Sequence, residues 1–234
     1  MESEPELIVF ASRASMAERV ADLVEGALAS GIMRDGRGEL AVSGGSTPEG
    51  LYRTLARRKF AWSDVTATLV DERWVGRDHP RSNEAFIREA FRGADMDIVG
   101  LYAAGKSPAP AAANDISSRL QRRKKPFDAV VLGMGEDGHT ASWFPHAKGL
   151  DVALGAGDRV CAITAEKSAV TGEEVDRMTL TLSALSDAAT IILMIAGENK
   201  RATFAKAKVA GPVEAMPVRA ILRARPDLWV CWAP

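Results

Sequence analysis

The chain has 234 residues, 47% of them hydrophobic, enough for one large α/β domain over residues 1–234 that needs no staples. Lysine plus arginine (30) nearly balance aspartate plus glutamate (31), and a net charge of -1 gives no global field that draws the chain to nucleic acid or to a membrane. Cys161 and Cys231 lie in apolar stretches and read as buried free thiols; with an acidic N-terminus unlike a signal peptide and no apolar run of bilayer length, a cytoplasmic protein is the expectation.

Leu7 to Ala11 reads as a first strand. Met16, Val20, Leu23, Val24, Ala27 and Leu28 then recur at helical spacing, and Gly31 is expected to stop that helix. Leu40 to Ser43 is a second strand that enters Gly44-Gly45-Ser46-Thr47-Pro48, where Thr47 reads as a helix N-cap ahead of a proline. Val65 to Val70 is a third strand, ending in Asp71-Glu72-Arg73, after which Ser82 can cap a helix carrying Phe86, Ile87, Ala90 and Phe91. Ile98 to Tyr102 reads as a further strand, and Ile116 and Leu120 mark a helix closing on Arg122, Arg123, Lys124 and Lys125. Phe127 to Gly133, Val160 to Thr164, Met178 to Leu182, Ile191 to Ala196 and Leu228 to Trp232 complete the strands. Helices are expected from Glu198 towards Lys208 and over Pro217 to Leu222. Strands alternating with helical patterns imply an α/β fold, a mainly parallel central sheet with helices on both faces.

Chemistry in such folds gathers beyond the carboxyl ends of the strands. Gly44, Gly45 and Ser46 join a strand to a helix N-terminus, where small residues let backbone N–H groups approach an anion and the helix dipole favours negative charge. The loop lacks the Gly-Lys-Ser/Thr ending of a nucleotide P-loop, so a single phosphate is the expected ligand. Arg177 and Lys200, each beside a strand, are the cations expected to complete that grip, arginine bidentately and lysine as a point charge. Among the three histidines, His139 follows Asp137-Gly138 directly after the buried run Val130-Val131-Leu132, which suits it to proton transfer in a cleft. Gly133-x-Gly135-x-x-Gly138 matches a dinucleotide fingerprint. However, Glu136 and Asp137 inside it would repel a pyrophosphate, so no cofactor is expected. No His or Cys spacing resembles a metal site.

Ser43-Gly44-Gly45-Ser46-Thr47-Pro48, Asp71-Glu72-Arg73 with Ser82-Asn83, Leu132-Gly133-Met134-Gly135-x-Asp137-Gly138-His139-x-Ala141-Ser142-x-Phe144-Pro145 and Arg177-Met178-Thr179-Leu180-Thr181 together resemble the 6-phosphogluconolactonase family. The motifs stand in the family's order and span nearly the whole chain; departures fall at Trp143 and at Glu84-Ala85. The resemblance implies a Rossmann-like three-layer sandwich. It also implies metal- and cofactor-free hydrolysis of 6-phospho-D-glucono-1,5-lactone to 6-phosphogluconate, the second step of the oxidative pentose phosphate pathway. By position it makes His139 the base that activates water and sets Asp71 and Arg73 to orient groups and stabilise charge at the lactone carbonyl. Gly44, Gly45, Ser46, Arg177 and Lys200 would hold the 6-phosphate, with Ser82, Asn83 and Asp137 as further substrate contacts. The partner is a small sugar-phosphate lactone, and a monomer is the expectation.

Two other readings stand beside it. An amino-sugar-phosphate isomerase/deaminase shares the Gly-Gly loop and Asp-Gly-His but usually carries Asn-Glu-Pro soon after the histidine, where this chain has Trp143-Phe144-Pro145 and no carboxylate. A non-catalytic sugar-phosphate-sensing module would carry a helix-turn-helix domain, whereas the first strand here begins at Leu7.

Overall fold

The computed structural model describes residues 5–106, 110–121, 126–155, 157–168 and 170–234. In chain order its strands are β1 (Leu7–Val9), β2 (Gly38–Val42), β3 (Val65–Leu69), β4 (Asp71–Arg73), β5 (Asp97–Val99), β6 (Ala129–Leu132), β7 (Val160–Thr164), β8 (Asp176–Leu180), β9 (Thr190–Ala196) and β10 (Trp229–Ala233). The helices are α1 (Arg13–Asp35), α2 (Ser46–Arg57), α3 (Asn83–Ala90), α4 (Pro110–Gln121), α5 (Leu150–Leu154), α6 (Leu182–Ser186), α7 (Glu198–Lys208) and α8 (Val218–Ala224). The strand proposed to run to Tyr102 stops at Val99, and the basic residues Arg122 to Lys125 lie outside the described residues.

A seven-stranded sheet runs β1-β10-β9-β6-β2-β3-β5, every neighbouring pair parallel. The inner strands β2, β3, β6 and β9 are buried on both faces, which is why they read as largely apolar runs, while the edge strands β1 and β5 are partly exposed. The strand period of two divides them between two cores. Leu40, Val42, Val131, Ile192 and Met194 pack with Val20, Leu51, Tyr52 and Ile87 of α1, α2 and α3. Ala41, Val130, Leu132, Leu193 and Ile195 pack on the other side with Ile116, Phe204 and Ile221 of α4, α7 and α8. This is the expected Rossmann-like α/β arrangement, three layers deep. The chain order reverses between β2 and β6, so the crevice beyond their carboxyl ends is the expected place for a ligand.

Three local expectations are corrected. The segments around Val160 and Met178 do not extend the parallel sheet. With Asp71–Arg73 they form a separate antiparallel sheet, β4-β8-β7, and Leu182 already belongs to α6. Thr47 is not an N-cap. Gly45 takes that position at φ 105°, a conformation open to glycine, and leaves α2 without a side-chain cap. Nor does Gly31 end α1, which continues to Asp35 and closes on Gly36. Gly31 is instead buried where a Cβ would collide with the Asp128 carboxylate. That carboxylate is fixed by the Glu39 N–H at 2.7 Å and by Arg34 Nη2 at 2.8 Å, so it cannot give way cheaply.

The two internal glycines of α1 should therefore respond oppositely to alanine. Gly26 faces open space, and Gly26→Ala should stabilise by about 0.5–1 kcal/mol through helix propensity. Gly31→Ala should destabilise by about 1–3 kcal/mol through overpacking. Urea unfolding of both variants checks the sign, and stabilisation by both would contradict the packing at Asp128.

Candidate active site

A cleft of about 360 Å³ opens beyond the carboxyl ends of β2, β3 and β6. Its walls come from the loops that follow these strands and from the first turn of α7. Ser43 to Pro48, Asp71, Arg73, Asn83, Glu136, His139, Ala141 and Lys200 all line it.

The Asp71-Glu72-Arg73 segment is split by the alternation of a strand. Asp71 and Arg73 face the cleft, while Glu72 points into the protein with no exposed surface. Burial pushes the Glu72 carboxyl up, and hydrogen bonds at the start of α3 pull it partly back. It accepts from the backbone N–H groups of Asn83 and Glu84 at 2.7 Å, from Arg73 N–H at 2.9 Å and from the Ser82 hydroxyl at 3.1 Å. Ser82 also caps α3 through the Ala85 N–H and lies off the cleft wall, so the geometry makes it a scaffold residue rather than a substrate contact.

Asn83 joins the two outward residues. Its Nδ2 donates to the Asp71 carbonyl at 2.9 Å and to Asp71 Oδ1 at 3.3 Å, and its Oδ1 accepts from Arg73 Nη1. A Cβ on Gly44 would collide with this amide, so the loop after β2 depends on glycine there. Arg73 Nη1 also donates to the Arg81 carbonyl at 3.1 Å, while its Nε has no protein partner. Ser142 Oγ donates to Asp71 Oδ2 at 2.6 Å.

On the β6 side, His139 Nδ1 lies 2.6 Å from Asp137 Oδ1, and the same oxygen accepts from the His139 N–H at 3.1 Å. Burial alone would raise the Asp137 carboxyl; bonding and charge pairing with His139 outweigh it and hold the group below its ordinary value. An ionised Asp137 can only accept, so Nδ1 carries a proton, and in the neutral form of the ring the lone pair is on Nε2. Phe144 supports the imidazole, with ring centroids 4.5 Å apart. A Cβ on Gly135 would strike both His139 and Asp137, so this glycine of the fingerprint serves the pair's close approach. Asp137 thus orients His139, and it is not on the cleft wall.

The loop after β2 and the start of α7 form the part of the same cleft that suits an anion, its anion end. Gly44, Gly45 and Ser46 border the cleft at the uncapped start of α2, and Lys200 lies in the first turn of α7, whose N-cap Gly197 also supplies no side-chain bond. Two helix N-termini with free donors and a cation favour a phosphate there. Burial lowers the Lys200 ammonium from its ordinary value, against the opposing pull of Glu136.

Arg177 does not join this grip. It is 2% exposed behind the cleft, its Nη2 donates to the Thr171 carbonyl at 2.9 Å, and its guanidinium stacks 5.5 Å from the Phe144 centroid. In the β4–β8 ladder it stands opposite Arg73, and burial brings it down to about 10. A second departure is milder. Trp143 is wholly buried, donating to the Leu180 carbonyl at 2.9 Å, and so leaves the cleft's shape alone. Glu136 and Ala141 on the wall were not legible in the sequence, because a loop has no period from which to pick its inward residues. Among the described residues, no group of three or more His, Cys, Asp or Glu is placed to hold a metal ion.

Glu72→Ala should cost at least ~2 kcal/mol of stability, since several buried donors lose one acceptor. Glu49→Ala, which breaks a helix-surface pair with Arg53, should cost under ~0.5 kcal/mol. Chemical denaturation of both variants checks this, and equal effects would contradict a structural role for Glu72.

Residues 11–232 match the family model described as glucosamine-6-phosphate isomerases/6-phosphogluconolactonase. The 6-phosphogluconolactonase of Rhizobium meliloti is 42% identical over 230 residues, covering 97% of each chain. That of Pseudomonas aeruginosa is 38% identical over 232 residues, covering 97% of this chain and 94% of the other. The crystal structure of a 6-phosphogluconolactonase from Shewanella baltica matches with a TM-score of 0.92 at 35% identity, over 100% of both chains. With its fold, its cleft and these relatives in agreement, the chain belongs to the glucosamine-6-phosphate isomerase/6-phosphogluconolactonase family.

Proposed function

We propose that the protein is a 6-phosphogluconolactonase, hydrolysing 6-phospho-D-glucono-1,5-lactone to 6-phosphogluconate in the cytoplasmic oxidative pentose phosphate pathway. One observation carries the reading: His139, held 2.6 Å from Asp137, and the anion end at α2 and α7 border one cleft. The 6-phosphate docks on Gly44, Gly45, Ser46 and Lys200, which sets the lactone carbonyl towards His139. Binding energy from this remote group positions the reacting carbon.

His139 Nε2 takes a proton from water as the water oxygen bonds to the lactone carbonyl carbon. The carbonyl π electrons move onto oxygen to form a tetrahedral oxyanion. Collapse of that oxyanion breaks the bond from carbon to the ring oxygen, which takes the proton back from the imidazolium. Asp137 holds the tautomer this requires and offsets the charge that forms on the ring. Arg73, on the cleft wall, supplies fixed positive charge to the anionic oxygens in the cleft. A δ-lactone is already an activated ester, so base, fixed charge and a phosphate handle suffice without metal or cofactor. The segment after Ala141 favours hydrolysis over amino-sugar ring opening: Trp143 is core, Phe144 supports His139, and no carboxylate follows.

His139→Ala should lower kcat by about 10²-fold or more while the protein still melts cooperatively, and Asp137→Asn should fall in the same direction by losing the tautomer. Lys200→Ala should raise KM for the phosphorylated lactone by about 10- to 100-fold, the worth of a hydrogen bond to a charged group, and leave unphosphorylated gluconolactone unaffected. Rates corrected for spontaneous opening decide both. Wild-type kcat in His139→Ala, or equal Lys200→Ala effects on the two lactones, would contradict the assigned roles.

A further inference from the structure

Two segments that line the cleft, the strand with Asp71 and the loop with His139, meet at one buried hydroxyl. Ser142 has no exposed surface and does not line the cleft, so it does not touch substrate. Its Oγ donates to Asp71 Oδ2 at 2.6 Å, a length typical of an O–H bond to a charged carboxylate. The other Asp71 oxygen receives only the longer 3.3 Å contact from Asn83, so the serine bond sets the carboxylate's rotation.

Ser142 is itself held. Its N–H donates to Thr179 Oγ1 at 3.3 Å, and Thr179, also without exposed surface, stands directly opposite Asp71 in the β4–β8 ladder. Between His139 and Ser142 lies Ala141 at φ 49°, a left-handed conformation that a non-glycine residue keeps only when contacts on either side impose it. Those contacts are the Asp137 clamp on His139 and the Ser142 bonds to β4 and β8.

Resting on the lactonase reading, we infer that Ser142 is a positioning residue for the reaction. It fixes the Asp71 carboxylate towards the cleft and locks the His139 loop to β4, with Thr179 as its support. Its effect runs through Asp71, so it should appear in turnover and not in phosphate binding. Misplacement of a reacting group by about an ångström can cost on the order of 10²-fold, so Ser142→Ala should lower kcat by about 10- to 100-fold. KM should stay within about threefold, because the anion end is untouched.

The test is a double-mutant cycle in kcat and KM for the phosphorylated lactone, with wild type, Ser142→Ala, Asp71→Ala and the double variant. The expected result is that Ser142→Ala loses turnover in the wild-type background and loses nothing further beside Asp71→Ala. Full additivity, a wild-type kcat in Ser142→Ala, or a loss confined to KM would overturn the inference. If Ser142→Ala does not fold, Thr179→Val, which removes only the hydroxyl behind the serine, is read in the same cycle with the same expected coupling. No lactone turnover by wild type overturns the lactonase reading and this inference together. Turnover by wild type with additive variants overturns the inference alone.

Discussion

The cleft depends on how the chain leaves the parallel sheet. After Leu69 the backbone passes Val70 and pairs antiparallel with β8, so successive residues of Asp71-Glu72-Arg73 point to opposite sides. A carboxylate without exposed surface is costly unless it is hydrogen-bonded. Glu72 meets that condition by collecting the free N–H groups at the start of α3 and the Ser82 hydroxyl. This single buried group therefore fixes β4 against α3, and the fixed strand presents Asp71 and Arg73 to the cleft with Asn83 between them.

Two different physical effects are combined around the cleft. At the anion end, helix N-termini without side-chain caps offer backbone donors, and Lys200 adds a partly desolvated charge. Around the rest of the cleft, carboxylates are hydrogen-bonded within the protein: Asp137 with His139, Asp71 with Ser142 and Asn83. Donors that stay free wait for a ligand, whereas groups already bonded hold their geometry. Buried Arg177 adds positive charge behind Phe144 without reaching the cleft, next to Arg73 across the ladder. The arrangement suits a substrate that carries its permanent charge at one end and develops charge at the other.

Much of this was legible in the sequence because parallel strands buried on both faces are short apolar runs, and glycine-rich strand ends mark where ligands meet them. His139, the Gly-Gly-Ser loop, Asp71, Arg73 and Lys200 were found on that logic and do share one cleft. The failures share a cause: a residue's partner lay far along the chain. Gly31 reads as a helix stop because nothing local reveals Asp128 above it. Glu72 looks like its neighbours until the strand places it beneath α3. Arg177 precedes a strand like a surface cation, yet cross-strand pairing draws it inward. Thr47 before Pro48 is a sound local capping signal, overridden where Gly45 takes the positive φ that the turn requires. The β4-β8-β7 sheet was hidden for the same reason, since strand propensity says nothing about which sheet a strand joins.

The central claim is that this cleft opens a phosphorylated lactone with His139-activated water. It is tested most directly by supplying purified protein with 6-phospho-D-glucono-1,5-lactone and, separately, glucosamine 6-phosphate. Lactone loss is followed against its spontaneous rate and ammonia release against a blank. Accelerated lactone hydrolysis with no ammonia is the predicted result. Ammonia release with lactone opening left at its spontaneous rate would contradict it.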